Sequence, residues 1–282
     1  MTDDFSQLRE IPYSGRHVTA GKTSKGDTFI GYTITGRSPP SQARELLPDG
    51  RGVLRTNIIT DENRLRKMFN IASDEELAEL KKRIEGGNQA LLVYDAIVDC
   101  GYRLVASNGT QTRLLTEASF RKRKMAISPK NLVEEAMRGP VWKDDGKGGK
   151  IDITTYEPDH PNYTQRVSGC ADKNSGFIHM VRRKFGRAEK DWFTFDLEPG
   201  KAIGATTYLG GNEDPLLPYD KMNPLDFEIT STNAQDLAQS LFDAINHPNP
   251  NDGNKNYAVA AAAMIMKDSG AEIARVNRWD GF

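Results

Sequence analysis

Most of the residues able to do chemistry fall in three short blocks: Gly36-Arg37-Ser38, Ser107-Asn108-Gly109-Thr110-Gln111-Thr112, and Asp159-His160-Pro161-Asn162-Tyr163-Thr164-Gln165-Arg166-Val167-Ser168-Gly169. Arg37, Arg44 and Arg166 stand beside loop or strand ends, where planar guanidinium forks converge readily on phosphate or amide oxygens. Taken singly, each such arginine is an ordinary surface or structural cation, and Asn108 an ordinary turn residue. Glu157, just before Pro158, reads on its own as a solvated loop carboxylate, and Tyr94 as a strand tyrosine with a satisfied hydroxyl. Glu157 and His160 have the Glu-x-x-His spacing that binds iron in helical bundles. Pro158 and Pro161 speak against a helix there, so the metal reading is rejected. Cys170 reads as a small buried apolar residue rather than a catalytic thiol. The run Arg121-Lys122-Arg123-Lys124 reads as solvated surface.

The elements that must position these residues are legible in part. Arg16 to Lys22 and Thr28 to Thr35 read as strands joined by the tight turn Thr23-Ser24-Lys25-Gly26-Asp27, with Ile30, Tyr32 and Ile34 on one face. Residues 36–52, with Pro39, Pro40, Pro48 and several glycines, read as a loop off a strand end. Residues 61–85 read as helical, with a Ser73-x-x-Glu76 capping box and Leu77, Leu80 and Ile84 on one face, ending at Gly86-Gly87. Residues 90–98 and 102–107 read as strands, with Asn108-Gly109 supplying a left-handed turn after the second. Ser128-Pro129 opens a helix to Met137, and 143–150 is a glycine- and charge-rich loop. Strands return over 163–181, 191–195 and 202–209. Asn233 caps a helix to Ile245, and 257–266 reads as an apolar helix of small residues. Without regular strand–helix alternation, this order gives a mixed α+β fold.

A chain of 282 residues with 37% hydrophobic and 27% charged residues can bury a sizeable core and is not disordered or fibrous. It reads as one domain over residues 1–282, with insertions near 61–88 and 139–150. The formal net charge of −1 gives no global pull towards nucleic acid or membrane, so local clusters must recognise any anion. Two cysteines, far apart in sequence and without metal-type spacing, speak against a disulfide framework. The first residues, Met-Thr-Asp-Asp-Phe-Ser, do not read as the basic and apolar regions of a signal peptide, no apolar run approaches spanning length, and the cytoplasm is the expected location.

The blocks above occur in the same order as Tyr13-Ser14-Gly15-Arg16, Leu92-Val93-Tyr94-Asp95-Ala96-Ile97, Tyr156-Glu157-Pro158 and Val259-Ala260-Ala261-Ala262. Together they resemble the archaeal-type IMP cyclohydrolases over well over half the chain. The resemblance implies a four-layer αββα sandwich like that of N-terminal-nucleophile hydrolases. It also implies closure of a formamidoimidazole-carboxamide ribonucleotide to inosine monophosphate with loss of water, using no metal and no organic cofactor. By the same resemblance Tyr94 and Glu157 would be catalytic, and Arg37, Ser38, Arg44, Asn108, Thr112 and Arg166 would bind substrate. The partner would be a small purine ribonucleotide, with no nucleic acid or membrane, in a homo-oligomer. The family pattern has a second arginine five positions after the residue matching Arg37. Here that position is Gln42 and the arginine falls at Arg44. Two other classes stay open: a purine-nucleotide-binding protein without catalysis, and an amide hydrolase using a processed N-terminus at Thr2.

Overall fold

The computed structural model describes residues 4–145, 148–211, 213–220, 222–250 and 252–280. Met1 and Thr2, on which the processed-N-terminus reading turns, lie outside the described residues, as do positions 146 and 147 of the expected loop over 143–150. After helix α1 (Ser6–Arg9), strands β1 (Arg16–Lys22) and β2 (Thr28–Thr35) form the expected hairpin. Helix α2 (Pro39–Gln42) leads into β3 (Arg44–Pro48) and β4 (Val53–Ile58). Helices α3 (Glu62–Phe69), α4 (Asp74–Glu85) and α5 (Gln89–Leu92) follow, then β5 (Asp95–Asp99), β6 (Leu104–Ser107), α6 (Thr112–Arg121) and α7 (Pro129–Ala136). A small hairpin, β7 (Trp142–Asp144) and β8 (Lys150–Asp152), precedes the long strands β9 (Arg166–Ala171), β10 (Ser175–Lys184) and β11 (Arg187–Asp196). The chain continues through β12 (Lys201–Thr206), β13 (Leu225–Glu228), α8 (Ala234–Ile245), β14 (Pro248–Asn249), β15 (Lys255–Asn256), β16 (Ala258–Ile265) and β17 (Glu272–Asn277).

Two largely buried antiparallel sheets result, making this an α+β fold. One has the order β13-β12-β1-β2-β16-β17 and the other β11-β10-β9-β6-β5-β4-β3. Strand alternation decides what each face meets. In the β1–β2 register Arg16 opposes Ile34, Val18 opposes Tyr32 and Ala20 opposes Ile30, so these six side chains share a face. That face meets the second sheet: Val18 and Ile30 lie against Gly169 of β9. Gly31 and Thr19 point the other way, under Leu241 of α8. On its far side the second sheet packs Val105, Cys170, Phe177 and Val181 against Leu115 and Ala118 of α6 and Leu132 and Val133 of α7. Helix, sheet, sheet and helices are thus stacked in that order.

Several local expectations are corrected. The alanine-rich run over 257–266 is not a helix but strand β16, paired with β2 on one side and β17 on the other. Alanine favours helix intrinsically, but every residue of this strand is buried. A strand covered on both faces shows no alternation to read, and its small side chains let α8 lie close. The expected loop over 36–52 contains α2, with its prolines in the first turn, and β3, whose Pro48 lies at its end on an edge strand. The single helix expected over 61–85 is two, because Asn70 closes α3 in the left-handed region at φ 52°. The Ser73–Glu76 capping box is present. Residues 89–92 are a helical turn, so Tyr94 lies in the link before β5 rather than within a strand. The loop over 143–150 carries the rungs of the β7–β8 hairpin. Asn233 does cap α8, and Ser128 caps α7.

Two histidines are enclosed. His17, whose ring meets Phe227 edge-on, has neither ring nitrogen hydrogen-bonded. Burial lowers it from 6.5 to about 3. Burial and Lys190 lower His179, stacked beside Phe177, to about 4. Between those values and 6.5 the unfolded chain binds more protons than the folded one, so stability rises with pH across that window and is lost on acidification. Moving from pH 7 to pH 5 is expected to cost about 2 kcal/mol for each histidine, measured by denaturant unfolding at the two values. His179→Phe should remove about half of that dependence; an unchanged pH slope would show that His179 is not buried neutral.

Candidate active site

A polar cluster lies where the facing strands end. Arg16, on the inward face of β1, directs Nη2 to both oxygens of Glu157 at 3.1 Å. Arg166, the first residue of β9, lies on the other side of Glu157, with Nη1 3.6 Å from Oε1. Glu157 is 2% exposed and Arg166 0%. The two cations come from different sheets, and the carboxylate is supplied by the loop between β8 and β9, where Glu157 N–H donates to the Thr164 carbonyl. Burial pushes the Glu157 carboxyl above its usual range and Asp159 adds to this, while Arg16 and Arg166 oppose it. Burial works against the Arg16 charge, yet Glu157, Tyr94, Tyr32 and Tyr208 hold that guanidinium well above its ordinary value.

The Tyr94 hydroxyl is 2.6 Å from that of Tyr32. Tyr32 projects from the inward face of β2, while Tyr94 N–H is pinned by the Thr56 hydroxyl at 2.9 Å. Burial and the neighbouring Tyr94 raise Tyr32 well above the usual tyrosine range, so it stays neutral; Arg16 and Arg44 pull the other way. The outcome is a pair of tyrosine hydroxyls close to Arg16, next to the carboxyl group that Arg16 and Arg166 hold.

The remaining residues singled out from sequence divide by what they touch. Asn108 donates Nδ2–H to the Gln165 carbonyl at 2.8 Å, and its Oδ1 accepts from Val167 N–H at 2.8 Å and Gln111 Nε2 at 3.0 Å. It therefore grips the backbone on both sides of Arg166. Gln111 completes the hold by accepting from Arg166 Nη1 at 2.8 Å, and the Thr155 carbonyl accepts from Arg166 Nε at 2.6 Å. Thr112 is buried at the start of α6, its hydroxyl bonded to Ser107 and to the Gly109 carbonyl at 2.8 Å. Arg44 is buried, with Nε bonded to the Ser41 carbonyl at 3.0 Å, and lies close enough to act on Tyr13 and Tyr32. Arg37 rests over the Tyr13 ring, 5.2 Å from its centre. Ser38 is exposed and bonded to Ser41. Sequence reasoning gave no role to Arg16, Tyr32 or Gln111. For Arg16 and Tyr32 the signal was present: both share the inward parity of an otherwise apolar hairpin face.

Several buried atoms here have no protein partner: Arg16 Nε, Arg44 Nη1, Arg166 Nη2, Gln165 Oε1 and Thr110 Oγ1. A buried unpaired polar group costs about 1–3 kcal/mol; three guanidinium donors, the Gln165 amide oxygen as acceptor and the Thr110 hydroxyl suit a ligand that carries acceptor oxygens and at least one N–H or O–H. A pocket of about 400 Å³ shares Thr110 and Tyr94 with this region and is otherwise lined by Arg113, Leu114, Trp142, Lys143, Arg55 and Asp95 among others, without Arg16, Arg44, Arg166 or Gln165. Cys170 lies apart, its thiol pushed upward by burial, as its apolar reading requires.

Asn108 and Gly109 do not adopt the expected left-handed conformation, since neither has a positive φ. Gly109 is required for space instead: a Cβ there would lie 2.5 Å from Arg166 Nη1, 2.6 Å from Gln111 Oε1 and 3.4 Å from Glu157 Oε1. Gly109→Ala should displace Arg166 and lower stability by about 1–3 kcal/mol. Gly139→Ala, whose Cβ would meet nothing within 4 Å, should be close to neutral. Equal unfolding midpoints for the two variants would contradict this packing.

No protein-family profile matches the chain. An IMP cyclohydrolase of Methanococcus maripaludis strain S2 is 23% identical over 257 residues, covering 91% of this chain and 96% of its own. The IMP cyclohydrolases of strains C5 and C6 are 23% and 22% identical over the same share of each chain. These matches span nearly the whole of both proteins, so the chain is similar along its length to proteins named IMP cyclohydrolase.

Proposed function

We propose that the protein is an IMP cyclohydrolase, closing 5-formamidoimidazole-4-carboxamide ribonucleotide to inosine monophosphate. The observation that carries this reading is the buried Glu157, held by Arg16 and Arg166 beside the Tyr32–Tyr94 hydroxyl pair. Relatives named for the same reaction support it, as does an order of layers like that of N-terminal-nucleophile hydrolases.

The reaction needs an amide nitrogen to attack a formyl carbon, although its lone pair is delocalised. The site must hold the two groups face to face and move protons as oxygen departs. In this mechanism Glu157 removes a proton from the carboxamide nitrogen as the N–C bond forms, and burial makes its carboxylate a stronger base than one in water. The formyl oxygen becomes a hydroxyl by taking a proton from Tyr94, whose own hydroxyl is backed by Tyr32. The C–O bond then breaks, the hydroxyl leaves as water with a proton returned by Glu157, and loss of the proton on the former formamido nitrogen to Tyr94 completes the C=N bond, while the former carboxamide nitrogen keeps its one hydrogen. Arg166 Nη2 and Arg16 Nε, both unpaired in the protein, offer donors to the carboxamide and developing oxyanion. Arg44 and Arg37 anchor the rest of the nucleotide. No redox step enters the balance.

An ultraviolet assay of ring closure tests the proposal. Glu157→Gln should lower kcat by about 10²–10⁴-fold, the range of a general acid–base contribution. Tyr94→Phe should lower kcat more than it raises KM. Folded wild-type protein that binds the ribonucleotide without closing it would leave a binding protein in its place.

A further inference from the structure

The pocket outside Tyr94 has a charge pattern that the proposed mechanism does not use. Of its three cationic side chains, Arg55 is paired with Asp95 at 2.7 Å and Arg113 with Glu117 at 2.6 Å. Lys143, presented by β7 opposite Ile151, makes no ion pair among the described residues. An exposed residue, it lines the pocket together with Tyr94 and with Arg113, Leu114 and Glu117 of α6. Behind it, Arg16, Arg166 and Glu157 sum to one further positive charge. Thr110, which also lines the pocket, is 6% exposed and its hydroxyl has no protein partner. Trp142, 62% exposed on the same strand, gives the rim an apolar wall. At about 400 Å³ the pocket falls within the range that encloses small ligands.

We propose that Lys143 is the phosphate-binding residue of this site, with the phosphomonoester of the ribonucleotide seated in the pocket between the β7–β8 hairpin and the start of α6. This rests on the reading of the protein as acting on a purine ribonucleotide. A phosphomonoester carries about −1.5 to −2 charges near neutral pH, which matches the excess on Lys143 and the inner cluster. Seating the phosphate there leaves Arg44 and Arg166 facing the heterocycle and ribose. Partial burial and the neighbouring cations Arg113 and Arg166 lower Lys143 from its usual value. A bound phosphate would relieve that repulsion. The aligned N–H groups at the start of α6 add a favourable field for an anion.

The test compares a nucleotide with its dephosphorylated counterpart in wild type, Lys143→Ala and Lys143→Arg. For ring closure, Lys143→Ala should raise KM for the ribonucleotide about 10–100-fold with kcat within about threefold, leave kcat/KM for the ribonucleoside unchanged, and be largely rescued by Lys143→Arg. Calorimetric binding of inosine monophosphate and inosine gives the same comparison without catalysis, and Lys143→Ala should erase most of the preference for the monophosphate. Loss of that preference without any ring closure by wild type would uphold the phosphate site while removing the cyclase reading. An unchanged preference in Lys143→Ala, equal losses for phosphorylated and dephosphorylated ligands, or no binding of the monophosphate by wild type would each overturn the assignment.

Discussion

Glu157 keeps a carboxylate between two sheets only because Arg16 and Arg166 reach it from different sheets. An ion moved from water into a protein interior costs several kcal/mol even after relaxation, and the attraction of a partner offsets this only when the geometry is good. Removing one partner of such a pair typically costs about 3–5 kcal/mol. The facing of the two sheets and the placement of the acid are therefore one problem: a shift of either sheet relative to the other would open a gap at the carboxylate. Apolar packing sets that spacing, with Val18 and Ile30 against Gly169 immediately below the polar cluster.

The backbone around the cluster is correspondingly fixed. Asn108 bonds to the residues before and after Arg166, and Gln111 holds the guanidinium itself. Thr56 does the same for Tyr94 from the neighbouring strand. Arg166 is thus fixed at its side chain and Tyr94 at its backbone, the kind of support that lets a site act without reorganising during the reaction. Glycine supplies the last requirement. With a Cβ at position 109, neither the Arg166 guanidinium nor the Gln111 amide that holds it could stay where it is.

Legibility in the sequence followed the visibility of faces. The β1–β2 hairpin and the caps at Ser73, Ser128 and Asn233 were readable because local chemistry specifies them. Strand β16 was not, since alanines buried on both sides carry neither a strand propensity nor a period, and only pairing with β2 and β17 defines them. At the site, Glu157 and Arg166 came from a resemblance in motif order. Their contact with Arg16 joins residues more than a hundred positions apart, which no local pattern encodes. Asn108 was identified but its work was not: its side chain is spent on the backbone of β9 rather than left open. Arg16 was overlooked although a lone arginine on the inward face of an apolar hairpin is costly enough to demand a partner.

Those demands extend beyond what the protein itself satisfies. Arg16 Nε, Arg44 Nη1, Arg166 Nη2 and Gln165 Oε1 are buried without partners, so the fold carries several desolvated polar groups whose cost the apolar core must offset. A ligand that supplies acceptors to the three guanidinium groups recovers part of that cost, and its binding is then linked to folding through RT ln(1 + [L]/Kd). In the proposed reaction, the same groups that weaken the empty protein would be preorganised donors for a transition state in which negative charge develops on oxygen. Pairing them internally would raise stability and remove what they offer to the substrate. An unpaired buried nitrogen does not by itself mark such a cluster, since Arg64 Nη2 and Arg103 Nε and Nη1 are also unpaired; what sets this one apart is that three guanidinium groups with open nitrogens gather around one carboxylate and a tyrosine pair.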